Sequence, residues 1–446
     1  MKKTVLCMAV LAAFAGASPA FADELADLKA EIAAQKQAAA AQKARLDALE
    51  QKLANVQQSA AAPAAAPATT GTGSTLGGYK LGDGLSIGSA NGFVTLYGLI
   101  DVSYVHTNHA DANGSNVTSP RVAWFSGNRW GLFGSRKMGD SGLNVIFRLE
   151  SEFESQTGNM DTDNVLFNRD AWVGVESKDF GKLTLGRQNA IARDPASSAI
   201  YGDPYGPAAP STEEGGYSNN NNFKQLIFYA GSATGTRINN GVVWKKAFSN
   251  GLLAAVQYQF GGVPGDFSKG STETVSLAYA GGSFNLAGFV TNANVAGLTN
   301  RTYSVGGNVQ IGDVRLNSGV FHYTAEQGAA GALGKRTDNA YTLSAKWTPG
   351  GGPMDYALGY QNMKANNAAV NGSGNVLNAY ANASGATAVA TGSRSTLYTS
   401  ASYHFDKITE VYAAMDYLKL KDGYKFGATN GAPNQTEFAL GLRMKF

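Results

Sequence analysis

The stretch Phe438-Ala-Leu440-Gly-Leu442-Arg-Met444-Lys-Phe446 carries an apolar side chain at every second position, the last of them aromatic. A period of two marks a strand with one greasy face and one wet face. A chain that stops on such a strand needs a neighbour for both edges. An export signal sharpens that need. Lys2 and Lys3 precede an apolar run from Val5 to Phe14 and the small-residue site Ala20-Phe21-Ala22, so residues 1–22 read as a signal peptide and Asp23 as the mature N-terminus. In lipid, a sheet has no free border only when it closes, which predicts an all-β transmembrane barrel.

Composition excludes several alternatives. The signal's apolar run is too short for an anchor, and no later run of about 18 apolar residues suggests a spanning helix. Cys7 is the only cysteine and lies inside the signal, so disulfides, thiolate metal sites and a cysteine nucleophile are excluded. Discarding Lys2 and Lys3 from the 36 basic residues leaves 34 against 33 acidic ones, a balance that argues against a nucleic-acid partner.

Residues 23–58 hold an unbroken heptad register, with Leu25, Leu28, Ile32, Leu46, Leu49, Leu53 and Val56 at a and d positions. Gln35, Ala39 and Gln42 weaken its central layers, while Glu31 with Lys36 and Arg45 with Glu50 would attract across a parallel seam. A coiled coil is expected; a lone amphipathic helix or an Ala-rich spacer is the alternative. Residues 59–92 read as an Ala/Pro/Gly-rich linker, with the part from Thr69 either more linker or a short extra segment near the barrel mouth.

From Phe93 to Phe446 about sixteen segments alternate in polarity, beginning 93–107, 121–138, 142–154, 165–177, 181–189 and 237–247 and ending at 434–446. An even count puts both termini, and the heptad segment, in the periplasm. One connection, about 190–236, is far longer than the rest and contains Pro195, Pro204, Pro207 and Pro210. Its run Gln225-Leu-Ile-Phe-Tyr229 is too apolar to hang in water, so the insert is expected to fold inward and narrow the lumen.

Ordered motifs then stand out: Thr95-Leu-Tyr-Gly98, Asn128-Arg-Trp-Gly-Leu-Phe-Gly134, Val145-Ile-Phe-Arg-Leu-Glu-Ser151, Leu166-Phe-Asn-Arg-Asp-Ala-Trp-Val-Gly174 and Phe180-Gly-Lys-Leu-Thr-Leu-Gly-Arg-Gln188. Together with Arg237-Ile-Asn-Asn-Gly-Val-Val-Trp244 they resemble the Gram-negative general diffusion porins of the β-proteobacterial and neisserial type. The resemblance implies a homotrimer of sixteen-stranded antiparallel barrels in the outer membrane, each constricted by its third loop. The heptad segment departs from the usual pattern, as do Phe133, where the family is commonly basic, and Arg148, where it is commonly neutral.

Alternation points Arg129, Phe133 and Lys137 inward, and likewise Arg148, Glu150, Glu152 and Glu154. The family register adds Arg169 and Arg237, giving a basic wall of Arg129, Arg148, Arg169 and Arg237. The insert would face it with Asp194, Asp203, Glu213 and Glu214. Basic wall and acidic loop create a transverse field that favours dipolar solutes, so selectivity follows from bore and charge. Alternatively, some arginines simply tie the loop to the wall. Arg187 reads as a latch at the subunit interface. His106 and His109 form an exposed loop pair with no third ligand nearby, so no metal, cofactor or catalytic residue is expected. Trp172, Trp244, Trp347, Tyr403 and Phe446 suit interfacial girdles, with Phe446 also the signal to the barrel-assembly machinery.

The leading expectation is passive diffusion of small hydrophilic solutes and ions with a slight to moderate anion preference. A substrate-selective channel for small organic anions such as dicarboxylates is the alternative. A third possibility is a tether to peptidoglycan through the heptad segment. Outer-membrane lipid and lipopolysaccharide are the expected surroundings.

Overall fold

In the computed structural model the described residues are Lys43, 84–110, 113–122, 125–196, 232–377 and 385–446. The signal peptide, the heptad positions Leu25, Leu28, Ile32, Leu46, Leu49, Leu53 and Val56, and the insert acids Asp203, Glu213 and Glu214 lie outside them. Asp194 is described in its backbone alone.

Period-two alternation becomes backbone pairing along the chain. The strands are β1 (Leu85–Ser89), β2 (Gly92–Thr107), β3 (Val117–Val122), β4 (Arg129–Lys137), β5 (Asn144–Glu152) and β6 (Asp170–Ser177). Next come β7 (Gly181–Asn189), β8 (Arg237–Ala247), β9 (Leu252–Gln259), β10 (Thr272–Ala280), β11 (Phe284–Val295) and β12 (Leu298–Ile311). The last six are β13 (Val314–Gln327), β14 (Gly334–Trp347), β15 (Met354–Ala369), β16 (Val389–His404), β17 (Thr409–Asp422) and β18 (Asn434–Lys445).

From β4 onward each strand pairs antiparallel with the next, and β18 returns to β2 from Glu437 opposite Thr107 to Lys445 opposite Leu99. The other edge of β2 is shared, its lower part with β4 and its upper part with β3, so those two short strands fill one wall position. β1 pairs with Gly92 to Leu96 below the point where β18 ends, and prolongs that position. Eighteen strands therefore make a closed ring of sixteen wall positions. Of the two alternatives for residues 69–92, Leu85–Ser89 takes the second: it is strand, not linker.

Closure fixes which face is wet. Along β2, Tyr97, Leu99, Asp101, Ser103, Val105 and Thr107 are buried inside, while Val94, Leu96 and Tyr104 stand exposed on the outer wall. The same division runs round the ring, with Val275, Leu277, Val290, Val305, Val320 and Leu343 exposed on the outside. Apolar side chains outside and polar ones inside are what lipid and an enclosed aqueous space demand. Below the apolar band, Trp347 stacks on Tyr356 at 5.5 Å and Tyr403 meets Phe405 at 5.1 Å, an aromatic belt at the end of the barrel where the termini lie. Tight turns close that end: Gly251 adopts φ 86°, open to glycine, between β8 and β9.

Two expectations change here. The segment 121–138 is not one strand: it breaks between Val122 and Arg129. The Asp101 carboxylate accepts N–H bonds from Phe125 (3.0 Å) and Ser126 (2.8 Å), drawing the broken stretch inward off the ladder. Trp172 is the second. It is buried on the inner face of β6 and does not belong to a girdle, whereas Trp244, Trp347, Tyr403 and Phe446 do lie on the outer wall. Its neighbours Val173 and Val175 take the outward positions, and a one-residue alternation leaves no choice.

The ring is locked at Phe446. Its N–H donates to Gly98 O at 3.0 Å, Gly98 N–H donates back to Phe446 O at 2.8 Å, and the Phe446 ring covers Gly98 so closely that a Cβ there would enter the ring. We therefore predict that Gly98→Leu lowers folded, heat-resistant barrel on refolding into detergent, at a cost of about 1–3 kcal/mol from overpacking. Adding Phe446→Ala should recover part of that loss, because the obstacle is gone. A Gly98→Leu barrel as heat-resistant as the parent would remove the latch.

Candidate functional site

Register builds the inner wall of β4, β5 and β6 residue by residue. Arg129 stands opposite Glu152, Phe133 opposite Arg148, Glu150 opposite Asp170 and Arg148 opposite Trp172, all on the lumen side. Arg169, one residue before β6, reaches both acids of β5. Its Nε donates to Glu150 Oε1 at 2.5 Å and its Nη1 to Glu152 Oε2. Tyr97 OH donates to the other Glu150 oxygen at 2.8 Å, so both oxygens of that carboxylate are occupied.

The other guanidiniums have different neighbours. Arg148 Nη1 lies 3.9 Å from Asp170 Oδ2, and its guanidinium carbon lies 5.5 Å from the centre of the Trp172 ring. Lys182 Nζ lies 5.8 Å from the same ring. Cations over an indole face gain from its quadrupole, the more so where water is excluded. Arg129 Nε donates to Gly127 O at 2.8 Å. Arg237 Nη1 donates to Thr236 Oγ1 at 3.3 Å, and its Nε and Nη2 are buried with no hydrogen-bond partner among the described residues. Arg193 donates to Asn189 Oδ1 at 2.7 Å.

The charges of Arg129, Arg148 and Arg169 all act on Glu150, and those of Arg129, Arg169 and Arg237 on Glu152. Arg129, Arg148, Arg169, Arg193 and Arg237 thus outnumber Glu150, Glu152 and Asp170. Guanidiniums stay charged at any working pH. Just beyond β5, burial together with the nearby Asp161 and Glu152 raises the Glu154 carboxyl above its ordinary value.

All four arginines expected from the sequence are therefore in one patch, but they do not play one part. Arg169 is an ion-pair hub bound to acids of its own wall. Arg187 ties Nε to Asn168 O at 2.8 Å and Nη1 to Asn239 Oδ1, linking the turn before β6 to β8. His106 and His109 are likewise strand ties, bonded to Thr118 Oγ1 and Asn434 O at 2.7 Å each.

The long insert starts inward. Ile191 N–H donates to the inner-face Gln257 Oε1 at 2.7 Å, and Ala190 and Ile191 pack with Ile238, Val243 and Ala255. Ala192 continues onto Phe289 and Phe321 of the β11–β13 wall. Residues 197–231 lie outside the described residues.

Sequence reasoning missed a second inward element. The broken stretch between β3 and β4 pushes Phe125 against Tyr412 at 4.4 Å, beneath Arg443. Tyr412 OH donates to Asp101 Oδ1 at 2.6 Å. From there a charged row crosses the inner face near the rim where Phe446 lies. Arg443 pairs with Glu410, and His404 lies 2.9 Å from Glu410 Oε2 and 2.7 Å from Asp355 Oδ2. Lys346 Nζ closes the row on Asp355 Oδ2 at 2.7 Å. Tracking every inward position strand by strand would have found these residues; only the break itself had no local signal.

The Arg169 hub yields a direct expectation. Arg169→Ala takes the hub guanidinium from Glu150 and Glu152, leaving Glu150 its Tyr97 donor and both carboxylates short of countercharge, a cost of about 3–5 kcal/mol. Thermal unfolding of the purified barrel in detergent should show a clear drop, and Arg169→Lys a smaller one. An unmoved midpoint in Arg169→Ala would mean the pair carries no weight.

With this geometry established, known proteins provide a comparison. A family profile described as "Gram-negative porin" matches residues 8–423. An outer membrane porin protein of Bordetella pertussis is 37% identical over 127 residues, covering 25% of this chain and 31% of that protein. The chain thus spans about a third of the length of that curated relative. The anion-selective porin from Comamonas acidovorans superposes with a TM-score of 0.60 at 20% identity, over 80% of this chain and 100% of that one. OmpT of Vibrio cholerae in its trimer form gives 0.53 at 15% identity, over 80% and 100%. At such identities the solved structures testify to the fold.

Proposed function

We propose that this chain, which belongs to the Gram-negative porin family, forms a water-filled channel for passive diffusion of small hydrophilic solutes and ions across the outer membrane, with a preference for anions. The observation that carries the preference is the excess of guanidinium over carboxylate on one inner wall, across β4 to β8. A fixed cationic wall in a confined aqueous bore raises the local concentration of anions and lowers that of cations. Arg129, Arg148 and Arg237, set around the Arg169 hub, are the residues proposed to carry this field with it. Asp194, Asp203, Glu213 and Glu214 are proposed for the facing side of the constriction, and the channel is proposed to work as a homotrimer. The heptad segment 23–58 is proposed to lie in the periplasm as a coiled coil, either clamping the trimer or engaging peptidoglycan.

A second reading has a specific support. Phe133, Arg148 and Trp172 stand side by side on the inner wall, with Lys182 at the indole. Rings alternating with cations suit a small organic anion better than chloride. Saturable current block at low solute concentration in planar bilayers would favour this selective channel over general diffusion.

Zero-current potentials of the purified oligomer in a salt gradient test the main reading. Wild type should reverse on the anion side, and Arg129→Glu together with Arg169→Glu should shift it toward cations. Replacing Arg148 and Arg237 by Glu should shift it in the same direction. Unchanged ion selectivity in both double variants would sink the lumen assignment.

A further inference from the structure

The inner wall is layered where the chain breaks between β3 and β4. Tyr412 of β17 lies across its ladder partner Gly441, whose missing side chain leaves the space, and its hydroxyl reaches Asp101 Oδ1 of β2 at 2.6 Å. Phe125 packs edge-on against that ring at 4.4 Å, with the Arg443 guanidinium carbon 5.2 Å from its own centre. The break follows β3 on one edge of β2, yet this ring meets residues of β17 and β18 beyond the other edge. With strands about 5 Å apart, the stretch can do so only by passing over the inner face of β2. Phe125 therefore stands one ring further into the bore than Tyr412.

The stretch is anchored from both sides. Asp101 Oδ2 accepts the N–H groups of Phe125 and Ser126, and Asp101 N–H donates to Asn128 Oδ1 at 2.5 Å. Ser126 Oγ accepts from Arg443 Nη1 at 3.2 Å. On the β5 side, Phe153 N–H donates to Asn128 O at 3.1 Å, and the Glu152 carboxylate fills the place where a side chain at Gly127 would begin. Arg129 Nε donates to Gly127 O, so the same stretch aims a guanidinium of the basic wall. Through Glu152 it adjoins the Arg169 hub.

We infer that residues 125–128 are a second arm of the pore's constriction and that Asp101 is its positioning residue. This rests on the reading of the chain as a water-filled channel. The arm carries Phe125 into the bore beside the arginine wall and limits the free width there. A phenyl ring adds bulk without charge, so the arm governs which solutes fit while the arginines govern their sign.

A cysteine at position 125 tests this in planar bilayers. Cys7→Ser removes the chain's own thiol, and in that background Phe125→Cys is treated with an anionic sulfonatoethyl or a cationic trimethylammonioethyl methanethiosulfonate. Either reagent should lower single-channel conductance in discrete steps, one per pore, whereas the same treatment of Val305→Cys on the outer wall should leave it unchanged. The anionic reagent should react about tenfold faster, because a cationic wall concentrates it. Block at equal rates would support the arm and count against the anion preference. Asp101→Asn keeps the side-chain shape but offers one acceptor oxygen to the donors Phe125 N–H, Ser126 N–H and Tyr412 O–H. Added to Phe125→Cys, it should make each blocking step smaller, and Tyr412→Phe should act in the same direction to a lesser extent. Conductance of Phe125→Cys unmoved by both reagents would overturn the arm. Blocking steps undiminished by Asp101→Asn and by Tyr412→Phe would overturn the role of Asp101.

Discussion

Everything in this molecule hangs on the hydrogen bonds by which β18 returns to β2. A sheet in hydrocarbon cannot leave N–H and C=O groups bare, because no water is there to take them. The return from Glu437–Thr107 to Lys445–Leu99 removes the last free edge, and the reciprocal Phe446–Gly98 bonds finish it. Below that point β1 takes over the same edge of β2. The border is thus protected past the place where β18 stops. Glycine at 98 is dictated by this seam, since the aromatic ring lies where a side chain would begin.

Once the ring is closed, every second side chain is committed to an enclosed space. That commitment creates the charged wall. Side chains on neighbouring strands are about 5 Å apart, so guanidiniums and carboxylates on β4, β5 and β6 must settle with each other. Arg169 settles with Glu150 and Glu152; Arg148 lies between Asp170 and Trp172. The surplus of positive charge that remains is a property of the patch and of no single residue. The row from Arg443 to Lys346 follows the same rule at the rim where Phe446 lies, but there Arg443 and Lys346 balance Glu410 and Asp355.

The outer wall obeys the complementary demand. Valine and leucine fill the middle, rings gather toward the ends, and the exposed Lys364 and Lys421 stand in a row remote from Phe446. Inside, phenylalanine and tyrosine also occur, as at Phe289, Phe321 and Tyr323, but there they are buried under other protein, with Ala192 of the insert among their contacts. Apolar residues on an inner face therefore mark where the chain folds back on its own wall.

The alternation along the chain was enough to place the wall. β7 and β8 begin and end where their pattern does, at 181–189 and 237–247, because turn residues bound them sharply. Upper ends were less legible: β15 runs to Ala369 and β16 starts at Val389, through stretches of Asn, Ser and Gly that have no polarity to alternate. The arginines could be assigned a face, since facing is a matter of parity. Partners could not be assigned, because Arg169 finds Glu150 and Glu152 only when β5 and the turn before β6 come together. Nor could the break at 125–128, where Phe125 and Ser126 bond to Asp101 of a different strand, itself bonded to Tyr412, 311 residues further on. A local period determines the barrel because lipid imposes the same rule on each strand separately. Tertiary structure alone decides which charges cancel inside it, because that depends on which strands become neighbours.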